Sequence, residues 1–464
     1  MTCRLVALLA GALALAGATG AGAQPRGQKA QKAPSGYEMT LQVYLAKGEA
    51  NACGEGCSEW IVAEGYFDGG AAGRMQAFLK RHGARKLPIY FHSPGGDGAA
   101  AMAIGRLLRE RGLTAGVGMT IPHACASAAD QSPACRAARR SSQAVAAEWR
   151  PNGGCNSACV YAVIGGKVRD VPPAARLGVH AAKTTIYRRY SDGRVQQVTA
   201  KQDSALLRNK AAEFDATLRR YLREMGIDGK FFETSVKVPH ESIYYLSRDE
   251  VAAYGIDRRA FVETPWFIAP SPTNSVHLSK WLVETRGPGR KDYRVSLVFF
   301  SCLQARRSMV GYLRGLASDE IGRPVTVTFF IGNHKARFSL TGTGTKQDII
   351  DTGALFASGA GLIPLDELEA AAAQGAIGVV EVDPRADTGQ PRAVELSTHG
   401  LAEGIKALRD KCMPSAQPGQ PVPSWVSGGG QVPFVPAQSG TQNQAVPGMP
   451  ADRFLLLEGK TKKK

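Results

Sequence analysis

The sequence holds little that would tie it to nucleic acid, to a membrane or to a metal. Its 57 Lys and Arg against 40 Asp and Glu give a net charge of +17. The basic residues are nevertheless scattered, with short runs only at Arg136-Ala137-Ala138-Arg139-Arg140, Lys335-Ala336-Arg337 and Lys462-Lys463-Lys464. No nucleic-acid motif accompanies them, so the excess reads as a basic solvated surface and no nucleic-acid partner is expected. The apolar run from Leu5 to Ala16 is too short and too rich in alanine for a membrane span. It follows Arg4 and precedes the small-residue site Ala21-Gly22-Ala23, the layout of a secretory signal peptide over residues 1–23. No cysteine follows the cut to carry a lipid, and a periplasmic or secreted protein is expected. The Cys-x₃-Cys pairs lack the spacing of a usual structural zinc site and have no histidine at ligand distance in sequence, so no metal is expected, nor any cofactor.

In an oxidising compartment the cysteines read as disulfides instead. Of nine cysteines, Cys3 leaves with the signal, and Cys53, Cys57, Cys125, Cys135, Cys155, Cys159, Cys302 and Cys412 remain. On a regular helix residues four apart have Cα atoms about 6 Å apart, near the upper end of disulfide geometry. Cys155 and Cys159 are therefore each expected to bond one of Cys125 and Cys135, which pairs with which being open. That would staple segment 119–150 over the stretch between them as a partial lid. Cys53–Cys57 and Cys302–Cys412 would be the other bridges.

A chain of 464 residues is too long for one ordinary core, and two folded domains with tails are expected. Residues 24–36 read as a polar linker. From Tyr37 short apolar strands alternate with amphipathic helices: Trp60 to Gly65, a helix carrying Met75, Phe78 and Leu79, Leu87 to Phe91, a helix carrying Ala100, Ala101, Ile104 and Leu108, then Leu113 to Val117. That tempo implies βαβ crossovers and a mainly parallel sheet. Residues 119–150 interrupt it as an insertion. A helix starts near Ser157, a hairpin is expected over 184–198, and a long helix carries Leu207, Ala211, Phe214, Leu218, Tyr221 and Met225 as a core stripe. Three prolines over 263–274 mark a boundary. Beyond it, residues 263–413 read as a β-rich α+β domain with strands at 295–300, 325–331, 336–341, 377–382 and 393–396 and a closing helix through Leu401, Ile405 and Leu408. Residues 414–464, rich in Pro, Gly, Gln and Ser, read as a disordered tail.

Chemistry concentrates in three short pieces of the first domain: Ser93-Pro94-Gly95-Gly96 after a strand, Asn156-Ser157-Ala158 among small residues, and Leu177-Gly178-Val179-His180 ending a β-branched run. A serine, a histidine that can take its proton near pH 7, and a glycine turn whose amides can face an oxyanion are the parts of an acyl-transfer site. Each piece has a plainer use: Ser157 as a small residue at a tight helix–sheet contact, His180 as a strand-end histidine bonded to backbone. Ser93 reads as a turn residue, and His92 and His123 as structural or exposed.

With those motifs in that order, residues 37–262 resemble the Clp-protease/crotonase superfamily, above all its exported, periplasmic Clp-protease-like proteins. The resemblance implies a Clp/crotonase-like α/β spiral fold, Ser157 as nucleophile, His180 as general base, and Gly96 and Ala158 as oxyanion donors. Two departures stand out. Where the family places an acid, this chain has a position at or near Pro239, and Glu241 is the nearest carboxylate, hence the expected third member. Segment 119–150 is an addition to the family core. The expected activity is a serine peptidase acting on a peptide or protein, with assembly into a homo-oligomer allowed by the resemblance. The rivals are a catalytically inactive Clp-like binding or scaffold protein and a crotonase-type acyl-CoA hydratase; an exported protein would rarely meet CoA. The second domain offers no catalytic constellation and is weakly similar to domains of invasion-associated periplasmic proteins.

Overall fold

The computed structural model describes residues 39–411 except 83–84, 129, 192–193, 271–275, 287–290, 305–306, 317–319, 321–322, 324, 333, 347–354, 375–376 and 383–390, together with 31–32 and 453–458. The expected signal peptide (1–23), most of the expected linker (24–36) and most of the expected tail (414–464) fall outside the described residues.

Glu59–Glu64 lies near the middle of a seven-stranded sheet. Trp60, Ile61, Val62 and Ala63 are all buried, as expected of a strand covered on both faces. It pairs antiparallel with Gln42–Lys47 and parallel with Ile89–His92, which pairs parallel with Thr114–Val117. The crossovers are the helices Ala71–His82 and Gly98–Glu110. Met75, Phe78 and Leu79 of the first and Ala100, Ala101, Ile104 and Leu108 of the second are buried, so one helical face meets the sheet in each.

A smaller sheet runs alongside. Gly154–Asn156 pairs parallel with Arg176–Val179, which pairs antiparallel with Ser242–Tyr245. It is stitched to the larger sheet at Ser93, whose N–H donates to Gly154 (2.8 Å) and whose carbonyl accepts from Asn156 (2.9 Å). Helix Ala158–Ile164 is buried along its whole length. It meets Gly98–Glu110 at a glycine contact: a Cβ on Gly165 would fall 2.2 Å from the Gly105 Cα. Helix Ala200–Glu224 covers this pair, with Tyr221 buried and its hydroxyl donating to the Tyr161 carbonyl at 2.5 Å. The expected core stripe holds only toward its C-terminal end. Leu218, Tyr221 and Met225 are buried, whereas Leu207, Ala211 and Phe214 are half-buried.

The inserted segment is not the lid expected. Met119–Pro122 and Val145–Arg150 extend the larger sheet past Gln42–Lys47, and Pro133–Arg139 lies between them. Trp60 donates to Thr120 Oγ1 at 2.9 Å, and Arg139 forms a buried ion pair with Glu64 at 2.7 Å. Cys53 and Cys57 are joined as expected, but the expected stapling of Cys155 and Cys159 to Cys125 and Cys135 is not found: among the described residues the other disulfides are Cys125–Cys135 and Cys155–Cys159. The objection to the last assumed a regular helix. Cys155 instead lies within the strand Gly154–Asn156, the chain turns at Ser157, and the Cα atoms come within 5.3 Å. Cys412 lies outside the described residues, as does the side chain of Cys302.

A second hydrophobic core, from Trp266 to Leu408, is separate from the first, which runs from Leu41 to Ile256. Here one antiparallel sheet of ten strands carries the helices Leu365–Gln374 and Leu401–Lys411. Glu284, on Val276–Thr285 near one end of the strand order, pairs with Arg392 on the last strand, so the sheet curls on itself. Glu381 and Glu320 bind Arg314 at 3.1 and 2.8 Å inside that curl. Among the described residues no helix is long and apolar enough to cross a membrane.

Candidate active site

Ser157 occupies the turn between strand Gly154–Asn156 and helix Ala158–Ile164. Its backbone stands at φ 54°, ψ −123°, one of three non-glycine residues of positive φ among those described. Such a conformation costs on the order of 1–3 kcal/mol and persists only where the surroundings enforce it. They do so on each side. The Ser157 N–H donates to the Gly178 carbonyl at 2.7 Å, and Cys155 and Cys159 are joined across it. The turn lifts the side chain out of the buried helix, leaving Ser157 half-buried.

The Ser-Pro-Gly-Gly turn lies directly against it. A Cβ on Gly95 would sit 2.7 Å from the Ser157 Cβ and 3.3 Å from its Oγ. Gly95 and Gly96 stand at φ 114° and 132°, and a Cβ on Gly96 would strike the Phe67 carbonyl at 2.2 Å, so both positions require glycine. Ser93 is indeed the turn residue: it is buried, and its Oγ accepts from the Gly95 N–H at 3.1 Å. The Phe67 carbonyl takes the Asp97 N–H at 2.6 Å. Among the described residues the N–H groups of Gly96 and Ala158 make no hydrogen bond.

His180 follows strand Arg176–Val179, the neighbour of the strand leading to Ser157, and is buried. Its Nδ1 lies 3.0 Å from the Ala181 carbonyl. A carbonyl can only accept, so Nδ1 carries the hydrogen and the neutral ring keeps its lone pair on Nε2. Burial, with His240 alongside, pushes His180 down to about 4, against the smaller upward pull of the Ala181 carbonyl and Glu241. The imidazole is thus neutral throughout the ordinary pH range.

The structure does not bring every expected partner together. No hydrogen bond joins Ser157 to His180. Glu241 is exposed and makes none to the imidazole; it acts on His180 only through its charge. The position sought for an acid is filled by a backbone carbonyl, because His180 bends back onto its own neighbour. His92 is structural: it accepts the Gly154 N–H on Nδ1 at 2.9 Å, and burial pushes it down to about 4.

Two side chains of the site escaped the sequence reading. Asn156 is buried with its Oδ1 unbonded, and a Cβ on Gly178 would fall 2.4 Å from that oxygen. His240 packs against His180, the rings tilted at 57° with centroids 4.8 Å apart, and places its Nδ1 3.3 Å from the same Ala181 carbonyl. The available signal was its place beside Pro239, where a carboxylate was sought and the histidine overlooked.

No family model matches the chain. No curated protein matches it either. Several solved chains are similar to part of it, and two are described. One is a mutant of the "1510-N membrane-bound stomatin-specific protease", at 14% identity and a TM-score of 0.26, covering 42% of this chain and 75% of that one. The other is "ClpP1 from Listeria monocytogenes", at 14% identity and a TM-score of 0.26, covering 42% of this chain and 87% of that one. Both likenesses are too distant to bear on the chemistry, which rests on the site's own geometry.

Proposed function

We propose that the chain is an exported serine peptidase of Clp-like fold. Ser157 attacks the carbonyl of a peptide bond, His180 takes the hydroxyl proton on Nε2, and the N–H groups of Gly96 and Ala158 receive the developing oxyanion. The observation that carries this reading is the backbone of Ser157, a non-glycine residue held at φ 54° between a strand and a buried helix, against a glycine turn. A residue serving only as a small contact has no need of that conformation, whereas a nucleophile on a strained strand-to-helix turn does. The Ala181 carbonyl fixes the tautomer a general base requires, the task an acid performs in a triad. Glu241 is left as a charge that favours the imidazolium. The three disulfides are compatible with an oxidising compartment.

A second reading, a Clp-like binding or scaffold protein without catalysis, draws on the missing Ser157–His180 hydrogen bond. Sites without substrate often hold such contacts open and close them on binding, so the first reading stands. A fluorophosphonate probe separates the two. The folded wild-type protein should be labelled at Ser157, Ser157→Ala should abolish labelling, and His180→Ala should slow it by about 10²–10⁴-fold. Folded protein that takes no label at any pH from 5 to 9 would leave the scaffold reading.

A further inference from the structure

Resting on that reading, we propose that a cavity between segment 39–42 and the end of helix Pro133–Arg139 is a specificity subsite, where Arg136 and Arg140 receive an acidic side chain of the substrate. The cavity measures about 240 Å³ and is lined by Met39, Thr40, Gln42, Arg136, Arg139 and Arg140. Its walls hold three guanidinium groups and no carboxylate. Arg139 is neutralised by Glu64 in their buried pair. Arg136 and Arg140 are exposed. Arg136 donates to the Gln131 carbonyl, a neutral partner, and Arg140 makes no side-chain hydrogen bond or ion pair among the described residues. Asp130, at the start of the helix, is bound by the N–H groups of Ala126 and Ser132 at 2.9 and 2.7 Å. The helix end itself supplies only about half a negative charge. Two positive charges are thus left uncompensated at one cavity, and guanidinium groups bind carboxylates through paired N–H donors.

Backbone hydrogen bonds tie this cavity to the nucleophile. The Tyr66 N–H donates to the Met39 carbonyl and the Leu41 N–H to the Tyr66 carbonyl, at 2.8 and 2.7 Å. The next residue, Phe67, donates to the Gly95 carbonyl at 2.8 Å, and Gly95 lies against Ser157. All of these residues stand at one edge of the larger sheet, beyond the C-terminal ends of Glu59–Glu64 and Ile89–His92. Segment 39–41 is therefore two strand spacings from the glycine turn, about 10 Å. An extended peptide covers that distance with about three residues. A substrate whose scissile carbonyl sits at Gly96, and whose chain crosses this edge, brings its third side chain over the two arginines. A basic surface without this role would not distinguish where along a peptide the acid lies.

The test is cleavage by the full chain of internally quenched peptides of one sequence, carrying a single Glu or Gln at successive positions on both sides of the cleaved bond. On one side, about three residues from the bond, Glu should raise kcat/KM about tenfold over Gln, as two charge-assisted contacts near the surface allow. The ratio should fall toward one in Arg136→Gln with Arg140→Gln, and in about 0.5 M salt. Arg140→Glu should turn the preference at that position toward Lys, a gain that misfolding cannot imitate. A ratio near one at every position in wild type, or a preference that survives the double variant, overturns the proposal. Binding of the same peptides to Ser157→Ala, read by fluorescence anisotropy, reports the subsite without catalysis. Tighter binding of the Glu peptide that is lost in the double variant, beside wild-type protein that neither cleaves nor takes a fluorophosphonate, would refute the peptidase reading and keep the anion site. Equal binding of the Glu and Gln peptides refutes the subsite whatever the labelling shows.

Discussion

Replacing Arg139 with methionine is expected to lower the stability of the amino-terminal half by about 3–5 kcal/mol at neutral pH, the cost of stranding a buried carboxylate. The Arg139 and Glu64 side chains are each 1% exposed and lie 2.7 Å apart. The Tyr44 hydroxyl donates to the same Glu64 oxygen at 2.8 Å, and Arg139 also donates to the carbonyls of Asp130 and Ala128. One guanidinium thus holds the inserted segment to the central strand. Burial already lifts Glu64 above the usual carboxylate range, against the downward pull of Arg139 and Tyr44. An acid whose pKa is raised by folding lends stability below its unfolded value, and that stability is lost as pH rises through the folded value. Without Arg139 the rise is larger, so the deficit in Arg139→Met should shrink toward pH 5 and deepen toward pH 8. Urea unfolding followed by the fluorescence of Trp60 and Trp149, which pack together beside this pair, measures it. Glu64→Gln with Arg139→Met should recover much of the loss, because no buried charge then remains. A single variant as stable as wild type would show that the ion pair contributes nothing.

The first half was legible because its periodicities are strong. Trp60 to Gly65 and the Met75, Phe78 and Leu79 face fell where the chain puts a buried strand and a helix flank, and Ser247 caps its helix through a reciprocal bond with Glu250. The second half hid several strands. Arg307–Leu316 and Leu355–Pro364 carry glycines that β-propensity counts against, yet those glycines make room for rings: a Cβ on Gly311 would strike the Phe299 ring at 2.1 Å. Buried Arg294 and Arg314 likewise read as surface in a sequence, because the carboxylates that pair with them, Glu320 and Glu381, lie far along the chain. At the site, Ser157, His180 and the glycine turn were visible as motifs, since each needs a particular residue type. The partner of His180 was not, because a backbone carbonyl leaves no trace in a sequence. The insertion was misjudged for a related reason: nothing local says that Arg139 turns inward.

Removing the bridge across the nucleophile, as Cys155→Ala with Cys159→Ala, is expected to slow labelling of Ser157 by about 10–100-fold while the fold survives. The bridge closes a loop of about five residues, and chain entropy alone assigns such a closure about 2 kcal/mol. Against that stands the strained turn, whose relaxation would return on the order of 1–3 kcal/mol. The two nearly cancel, so the net loss of stability should be small and the effect should appear in geometry. Helix Ala158–Ile164 stays pinned by the Gly105–Gly165 contact and by the Tyr221 hydroxyl on Tyr161, so the helix holds while the turn before it relaxes. Once Ser157 leaves positive φ its hydroxyl no longer faces the glycine turn, and a displacement of about 1 Å is enough for a hundredfold loss. Reductant added to the native wild-type protein should not reproduce this. Cys155 and Cys159 are 0% exposed, so a thiolate reaches their bridge only after unfolding, whereas Cys57 is half-buried and its bridge is open to attack. Peptide mapping after native reduction, set beside the labelling rate of the double variant, reads both outcomes. Labelling of the double variant within about twofold of wild type would mean that packing alone holds the serine in place.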